Sequence, residues 1–444
     1  MKLKKYKLGE LLDVKRGASL AGEHYATSGE YIRLTCGNFD YQNNSFKVNT
    51  SKDNLYYTGP VREEFIMKKG DIITPLTEQA IGLLGSTAII PEDGKYIQSQ
   101  DVAKIICNED LLCPSFAFYL IASDAVKKQL SAAAQQTKIR HTSPDKIKDC
   151  TVWIPDLPTQ EKIGCILSDI DSKIALNRAI NQNLEALAKQ LYDYWFVQFD
   201  FPNQEGKPYK SNGGAMAWNE KLKREIPVGW EVVKLGSLIE SSRGISYNAS
   251  NISGGGVPML NLASFNVDGT YKHKGLKTFN GEYSVDKVLK PFDLVMCNTQ
   301  QTAIDDAKDI IGKAFLVPNI FDGDIVSSHH VTTLKCESIL KPYLSYLSNT
   351  RHFHKYASGC CTGTNIMGLD FCGIERYQME LPPKTLLHRF YDIAIAVERE
   401  KGKAILETMR ILSLRDELLP LLMNGQVSLN SDLSVLLLYY YSTQ

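Results

Sequence analysis

The feature that most constrains this chain is a long-range internal repeat. "YKLGELLDVKRGASL" (6–20) resembles "VVKLGSLIESSRGIS" (232–246), with Leu8-Gly9 and Arg16-Gly17 matching Leu235-Gly236 and Arg243-Gly244 at an offset of 227 residues. The same offset sets "GSTAIIP" (85–91) on "GKAFLVP" (312–318), "TKIRH" on "TNIMG" through Ile139 and Ile366, and "WIPDLP" on "ELPPKT" through Pro155 and Pro382. "KKGDIITP" and "LKPFDLVM" pair at a different offset, Asp71 on Asp293, which implies compensating changes of loop length on either side. A period this long means duplication of a unit of roughly 200 residues, not a short-repeat solenoid.

Within each unit, short β-rich runs ("DIITP", "STAII", "DVAKIIC"; "DLVMC", "KAFLV", "HVTTLKC") are separated by Gly, Asn, Asp and Pro turns. A helix-like stretch follows at 113–130 and again at 341–357, then one more strand and a proline that opens a long helix. The fold class expected is therefore mixed α+β: two similar α/β domains joined by two long helices that form an antiparallel coiled coil. The boundaries fall at 1–155 and 231–384 for the domains and 156–198 and 385–427 for the helices. A Pro/Gly/Asn/Ser-rich linker at 199–230 and a tail at 428–444 complete the chain. Tyr209, Trp218 and Trp230 make that linker too aromatic to be fully disordered and predict packing on a neighbouring surface.

The first helix carries a heptad pattern. Its d series is Ile163, Ile170, Asn177, Leu184 and Leu191, its a series Leu167, Ile174, Asn181, Ala188 and Trp195, and Ile166, Ile180 and Leu187 flank the seam. Two Asn at the centre of such a seam cost stability and fix register and partner. In the second helix the d series Phe390, Val397, Ala404, Ile411, Leu418 persists, whereas the a series Ala394, Lys401, Thr408, Arg415, Leu422 degrades. A shift of the stripe toward Ile405, Leu412 and Leu419 is expected, with Pro420 ending or kinking the helix. At ~1.5 Å per residue each helix is about 55–60 Å long, the proportions of a spacer and ruler.

Catalytic signatures are missing. There is no phosphate-binding G-x-x-x-x-G-K-[ST], since Gly312-Lys313 is followed by Ala, and no G-x-G-x-x-G; "SGGGVP" (253–258) is a flexible turn. Neither H-E-x-x-H nor G-x-S-x-G occurs, nor the Asp-Pro-Pro-Tyr type of motif of an amino-methyltransferase, and Asp305-Asp306 reads as a solvated loop. Ten Cys lack any C-x-x-C spacing, and His329-His330 and His352-Phe353-His354 sit near no matching Cys or acidic pattern, so no metal site is expected. Free thiols in this number fit a reducing cytoplasm. The N-terminus lacks a signal-peptide core, and the apolar run at 433–442 is too short to span a bilayer. Lys+Arg and Asp+Glu both total 50, so any polyanion would have to be met by local patches.

Binding remains. Basic and amide residues gather at equivalent places: Lys15, Arg16, Arg33, Asn38, Gln79, Lys138, Arg140 and His141 in the first unit, and Arg243, Tyr247, Asn261, Asn298, Gln300, Gln301, Thr364 and Asn365 in the second. Arg on guanine, Asn or Gln on adenine and Lys on phosphate are the pairings of a major-groove reader. A duplicated domain on a spacer suits two different half-sites at fixed separation, because DNA advances ~34 Å per turn.

Three segments carry a family resemblance. "LPTQEKIGCILSDIDSKIALN" (157–177), "WFVQFDFPNQEGKPYKSNGGAM" (195–216) and "IPVGWEVVKLGSL" (226–238) closely resemble the specificity subunit of type I restriction-modification enzymes, over essentially residues 1–426. The resemblance implies that 1–155 and 231–384 are target recognition domains, each binding one half of a bipartite double-stranded DNA sequence. The helices would set the unspecified gap and dock two methyltransferase (modification) subunits. It further implies no activity and no cofactor on this chain alone: S-adenosylmethionine belongs to the modification subunits, ATP and Mg to the restriction subunits. The degraded a series and the tail after 428 depart from the pattern. Two other readings stay open, a self-contained DNA methyltransferase or nuclease, and a scaffold that binds proteins rather than DNA.

Overall fold

The computed structural model describes residues 2–78, 82–133, 140–252, 254–301, 308–364 and 366–426. They fall into two units, one within Met1–Ala175 and Met409–Gln444, the other within Leu176–Thr408. Each unit thus takes one half of each long helix.

The two units repeat one topology. In the first, a four-stranded antiparallel sheet runs Leu12–Arg16, Val102–Cys107, Ile72–Pro75, Ala88–Ile89 in spatial order. In the second, Glu240–Arg243, Val331–Lys335, Leu294–Cys297 and Ala314–Leu316 follow the same order, also antiparallel. Their registers correspond, Ala103 facing Arg16 and Thr332 facing Arg243. The central strands Ile72–Pro75 and Leu294–Cys297 are buried on both faces, which is why they read as continuous β-branched or apolar runs rather than as alternation. A second sheet accompanies each: Tyr96–Ile97, Tyr31–Arg33, Tyr56–Tyr57 and Tyr25–Ala26 in the first unit, Lys277–Phe279, Val257–Leu260 and Val326–Ser327 in the second.

The repeated Arg-Gly has a steric cause. A Cβ on Gly17 would lie 2.3 Å from the Ser99 carbonyl oxygen, and one on Gly244 2.3 Å from the carbonyl oxygens of Ser327 and Ser328. At both places the chain leaves its strand by passing directly against a neighbouring backbone, and only glycine fits.

The long helices span Leu157–Tyr192 and Lys384–Met423. In the first unit Ile163, Leu167, Ile170 and Ile174 share one core with Ile411, Leu414, Leu418 and Leu422, and also with Phe116, Ala117 and Tyr119 of the helix Pro114–Ile121. In the second unit Ala188, Tyr192, Trp195, Phe390, Ala394 and Val397 share a core with Tyr343 and Leu344, with Leu184 and Leu191 packed against it. Burying each such Leu or Ile contributes about 1.5–3 kcal/mol. The helix halves are therefore structural members of the units' cores.

The d series of the second helix stays buried, and no stripe shift occurs: Ile405, Leu412 and Leu419 are only half-buried. The polar a positions are used instead. Lys401 ion-pairs with Glu185 and, at 2.7 Å, with Glu398; Arg415 reaches Asp171 at 3.3 Å and Asp416 at 3.0 Å. Pro420 sits inside the last turn rather than ending the helix. Ile180 and Leu187, expected to flank the seam, are exposed, while Ile166 is packed on the first unit's core.

Residues 199–230 are folded, and Tyr209 and Trp230 pack as their aromatic character predicts. Phe201 stacks on Tyr209 and Trp230 with ring centroids 4.6 and 5.4 Å apart, and the hairpin Met216–Asn219/Arg224–Pro227 follows. Trp218 does not pack as expected; it is exposed, its indole N–H donating to Glu220.

Candidate nucleic-acid interface

At one edge of each unit three chain segments meet in the same backbone frame. In the first, the Leu76 N–H donates to the Asp101 carbonyl at 2.8 Å, and the Thr142 N–H donates to the Leu76 carbonyl at 2.9 Å. In the second, the Asn298 N–H donates to the His330 carbonyl at 3.0 Å, and the Leu369 N–H to the Asn298 carbonyl at 2.9 Å. The strands leaving these points pair alike, Thr77 facing His141 and Thr299 facing Gly368. The frame thus brings sequence-distant segments together: Thr77-Glu78 with Arg140 and His141, and Thr299–Gln301 with Ile366–Gly368.

On this common frame the side chains differ. In the first unit the Thr77 hydroxyl donates to Asp101 at 3.2 Å and lies 3.3 Å from His141 Nδ1. Glu78, 5% exposed, accepts from the Gly82 N–H at 2.8 Å and faces Arg140 at 3.7 Å. Arg16 is exposed, and its Nε donates to the Gln100 carbonyl at 2.9 Å.

In the second unit Gln300 stands where the first has Glu78, and accepts from the Ile310 N–H at 2.8 Å. His330 stands where the first has Asp101. Its ring lies 3.8 Å from that of His329, which faces Tyr247 at 5.5 Å. Burial, then His329 and Arg243, pull the His330 imidazole below its ordinary value, so it favours the neutral form. The Nδ1 atoms of both imidazoles are buried without a hydrogen-bond partner. One scaffold therefore presents a mixed acidic and basic set in one unit and an amide and imidazole set in the other.

Several expected contacts are corrected, because burial spends them inside the fold. Asn38, 1% exposed, caps the turn at Thr35 and donates to the Lys47 carbonyl; Asn261, 4% exposed, caps the equivalent turn and donates to the Gly275 carbonyl. Asn298, fully buried, bonds the His329 carbonyl and Thr332. Arg33, 8% exposed, stacks 3.9 Å over Tyr25 and donates to the Asn54 carbonyl, and Gln300 is equally buried. Lys15, Arg16, His141, Arg243 and Thr364 are exposed, and Arg140 and Tyr247 are half-exposed. Gln79, Lys138, Asn365 and the side chain of Gln301 lie outside the described residues. No group of His, Cys, Asp and Glu among the described residues could hold a metal ion.

Residues 2–186 match the model of the type I restriction modification DNA specificity domain. The MjaIX specificity subunit of Methanocaldococcus jannaschii is 21% identical over 327 residues, 72% of this chain and 71% of that one. The HindI specificity subunit of Haemophilus influenzae is 23% identical over 430 residues, 83% of this chain and 89% of its own.

The chain is similar to type I specificity subunits, and its residues 2–186 carry the match to their DNA specificity domain.

The crystal structure of a type I restriction-modification S subunit from M. genitalium superposes with a TM-score of 0.59 at 14% identity, covering 95% of this chain and 96% of that one, so the fold is shared. Sequence reasoning did not single out Gln100, Asp101 or, for binding, the His329-His330 pair as members of this frame. The signal was indirect: they follow Ser99 and Ser328, which bridge Ala18 and Ile245 at matched places in the two units. Their offset of 229 is visible only once the strand registers are known.

Proposed function

We propose that this chain is a specificity subunit, not itself an enzyme, that reads a bipartite double-stranded DNA target, one half-site per unit, with 1–155 and 231–384 as the target recognition domains. The observation that carries this reading is the common hydrogen-bonded frame bearing different side chains in the two units. Reading two sequences with one fold demands a fixed backbone and variable donors and acceptors.

The long helices, paired as an antiparallel coiled coil, set the gap between half-sites. Supporting this, Asn177 donates to Glu407 at 2.8 Å and Lys401 pairs with Glu185, so contacts step up one helix as they step down the other. Leu176, Ile180 and Leu187, 54%, 38% and 56% exposed, form an uncovered apolar row on the first helix that suits docking of the modification subunits. S-adenosylmethionine is carried by those subunits, and ATP and Mg by the restriction subunits, in the cytoplasm. No helix among the described residues is long and apolar enough to cross a membrane.

The test is single-molecule sequencing of methylated adenines in cells carrying the system with and without this chain. A bipartite motif present only with it is expected, and exchange of 1–155 for that of another family member should alter one half alone. A motif unaffected by deleting the chain, or altered in both halves by the exchange, would overturn the reading.

A further inference from the structure

We propose that a basic cleft in the second unit, formed by Arg243, Lys287, Lys290 and Lys335, is a seat for a backbone phosphodiester of the DNA that this unit reads; the inference rests on the function proposed above. The cleft encloses about 330 Å³ beside the Arg243-Gly244 turn. The Lys287 ammonium, 31% exposed, is fixed in it by donating to the Ser242 hydroxyl at 3.2 Å and to the Arg243 carbonyl at 3.0 Å. Three acids lie close, of which Glu240 faces Lys335 across the strand pair. Asp293 is engaged by Lys341 at 2.8 Å, and Asp286 accepts from the Ser284 hydroxyl and lies 3.8 Å from Lys287. Positive charge therefore remains in excess at the cleft mouth, where Lys290 and Lys335 are exposed.

The duplication supplies a control within the molecule. The short turn Val285–Lys287 corresponds to Glu63–Phe65, and the strand end Lys335 corresponds to Ile106. Arg243 and Lys290 recur as Arg16 and Lys68, whereas the first unit builds the same turn and strand with Phe65 and Ile106 in place of Lys287 and Lys335, so the fold does not need those two cations. Their cost is mutual repulsion, which a polyanion removes. The cleft also adjoins the reading frame through Gly244, which packs on Ser327 and Ser328, two residues before His330. A phosphate held there would position the half-site without reading it.

The test uses the chain assembled with its modification subunits and a labelled duplex carrying the mapped methylation motif, with affinity measured across a salt series. For Lys287→Gln and for Lys335→Gln, removing one cation from the phosphate should make the slope of log K against log salt shallower by about 0.9, with equal fold-losses on cognate and single-mismatch duplexes. Lys287→Arg should restore the slope, and Lys207→Gln, in the separate 199–214 segment, should leave it unchanged. Retained cognate binding with an unaltered slope in both Gln variants overturns the cleft while leaving the DNA-reading function intact. Loss confined to the cognate duplex would make it a base-reading site and equally overturn the proposal. Absence of motif-dependent binding by the unsubstituted complex would instead sink the underlying function.

Discussion

Replacing Lys401 with Met should destabilise the second unit far more than a surface charge removal. Lys401, Glu185 and Glu398 are 17%, 25% and 12% exposed, and one ammonium serves both carboxylates. Burial pulls the Lys401 ammonium down, but the attraction of Glu398 and Glu185 holds it above its ordinary value. Burial raises the Glu398 carboxyl, against the opposing pull of Lys401. Without the lysine two carboxylates face each other in a desolvated site, and breaking such a pair costs about 3–5 kcal/mol. In a unit of this size that lowers Tm by roughly 6–20 °C.

Scanning calorimetry with fluorescence of Trp195 and Trp230, both in that unit's core, would follow the loss. The pH dependence gives a second reading. A carboxyl whose folded-state value is raised is favourable in its protonated form and loses that advantage as pH rises through the folded value. The Lys401→Met deficit should therefore shrink on acidification toward about pH 4, where carboxyls protonate, and be full near neutrality. Replacing all three residues with apolar ones of similar size should recover most of the loss. A deficit under about 1 kcal/mol, the value of an exposed pair, and flat with pH would refute the argument.

Two further predictions follow the frame. Gly17→Ala and Gly244→Ala should each destabilise by about 1–3 kcal/mol, since the obstructing atoms are backbone carbonyls that cannot yield; denaturant titration measures it, and each variant should weaken only its own half-site in a methylation profile. Because the His330 imidazole is depressed, its contribution is complete above the ordinary histidine value and is lost as pH falls from about 6.5 through the folded value. His330→Gln should accordingly flatten the acid limb of the second unit's stability, and an unchanged limb would count against the buried neutral ring.

Periodicity made the helices legible, and the repeated Leu-Gly and Arg-Gly pairs made the duplication legible, because both are consequences of local geometry. In 199–230 turn-forming composition marked changes of chain direction, and the aromatics marked the packing that accompanies them, Phe201 stacking on Tyr209 and Trp230. The candidate contacts divided by burial, which composition does not encode: Asn38 and Asn261 are capping residues of equivalent turns, and Asn298 ties a carbonyl to Thr332. An amide suited to adenine is equally suited to a backbone N–H. The degraded a series was visible as Lys401 and Arg415, but its meaning lay in acids that the fold supplies. Glu185 and Asp171 come from the other long helix, and Glu398 and Asp416 lie three residues and one residue away along the same helix.

The duplication also separates what the fold requires from what function selects. Positions kept alike in both units, such as Gly17 with Gly244 and Leu34 with Leu260, sit where sterics or burial leave no choice. Positions that differ on the same backbone and stay partly exposed, Asp101 against His330 and Phe65 against Lys287, are free of that constraint. A carboxylate in one unit and an imidazole in the other, at matched points of one hydrogen-bonded frame, changes which donors and acceptors a partner must offer without changing where they stand. That division is what the proposed two-half reader would need: each unit could alter its target by substitution at the frame edge, while the helix halves built into its core would stay unchanged.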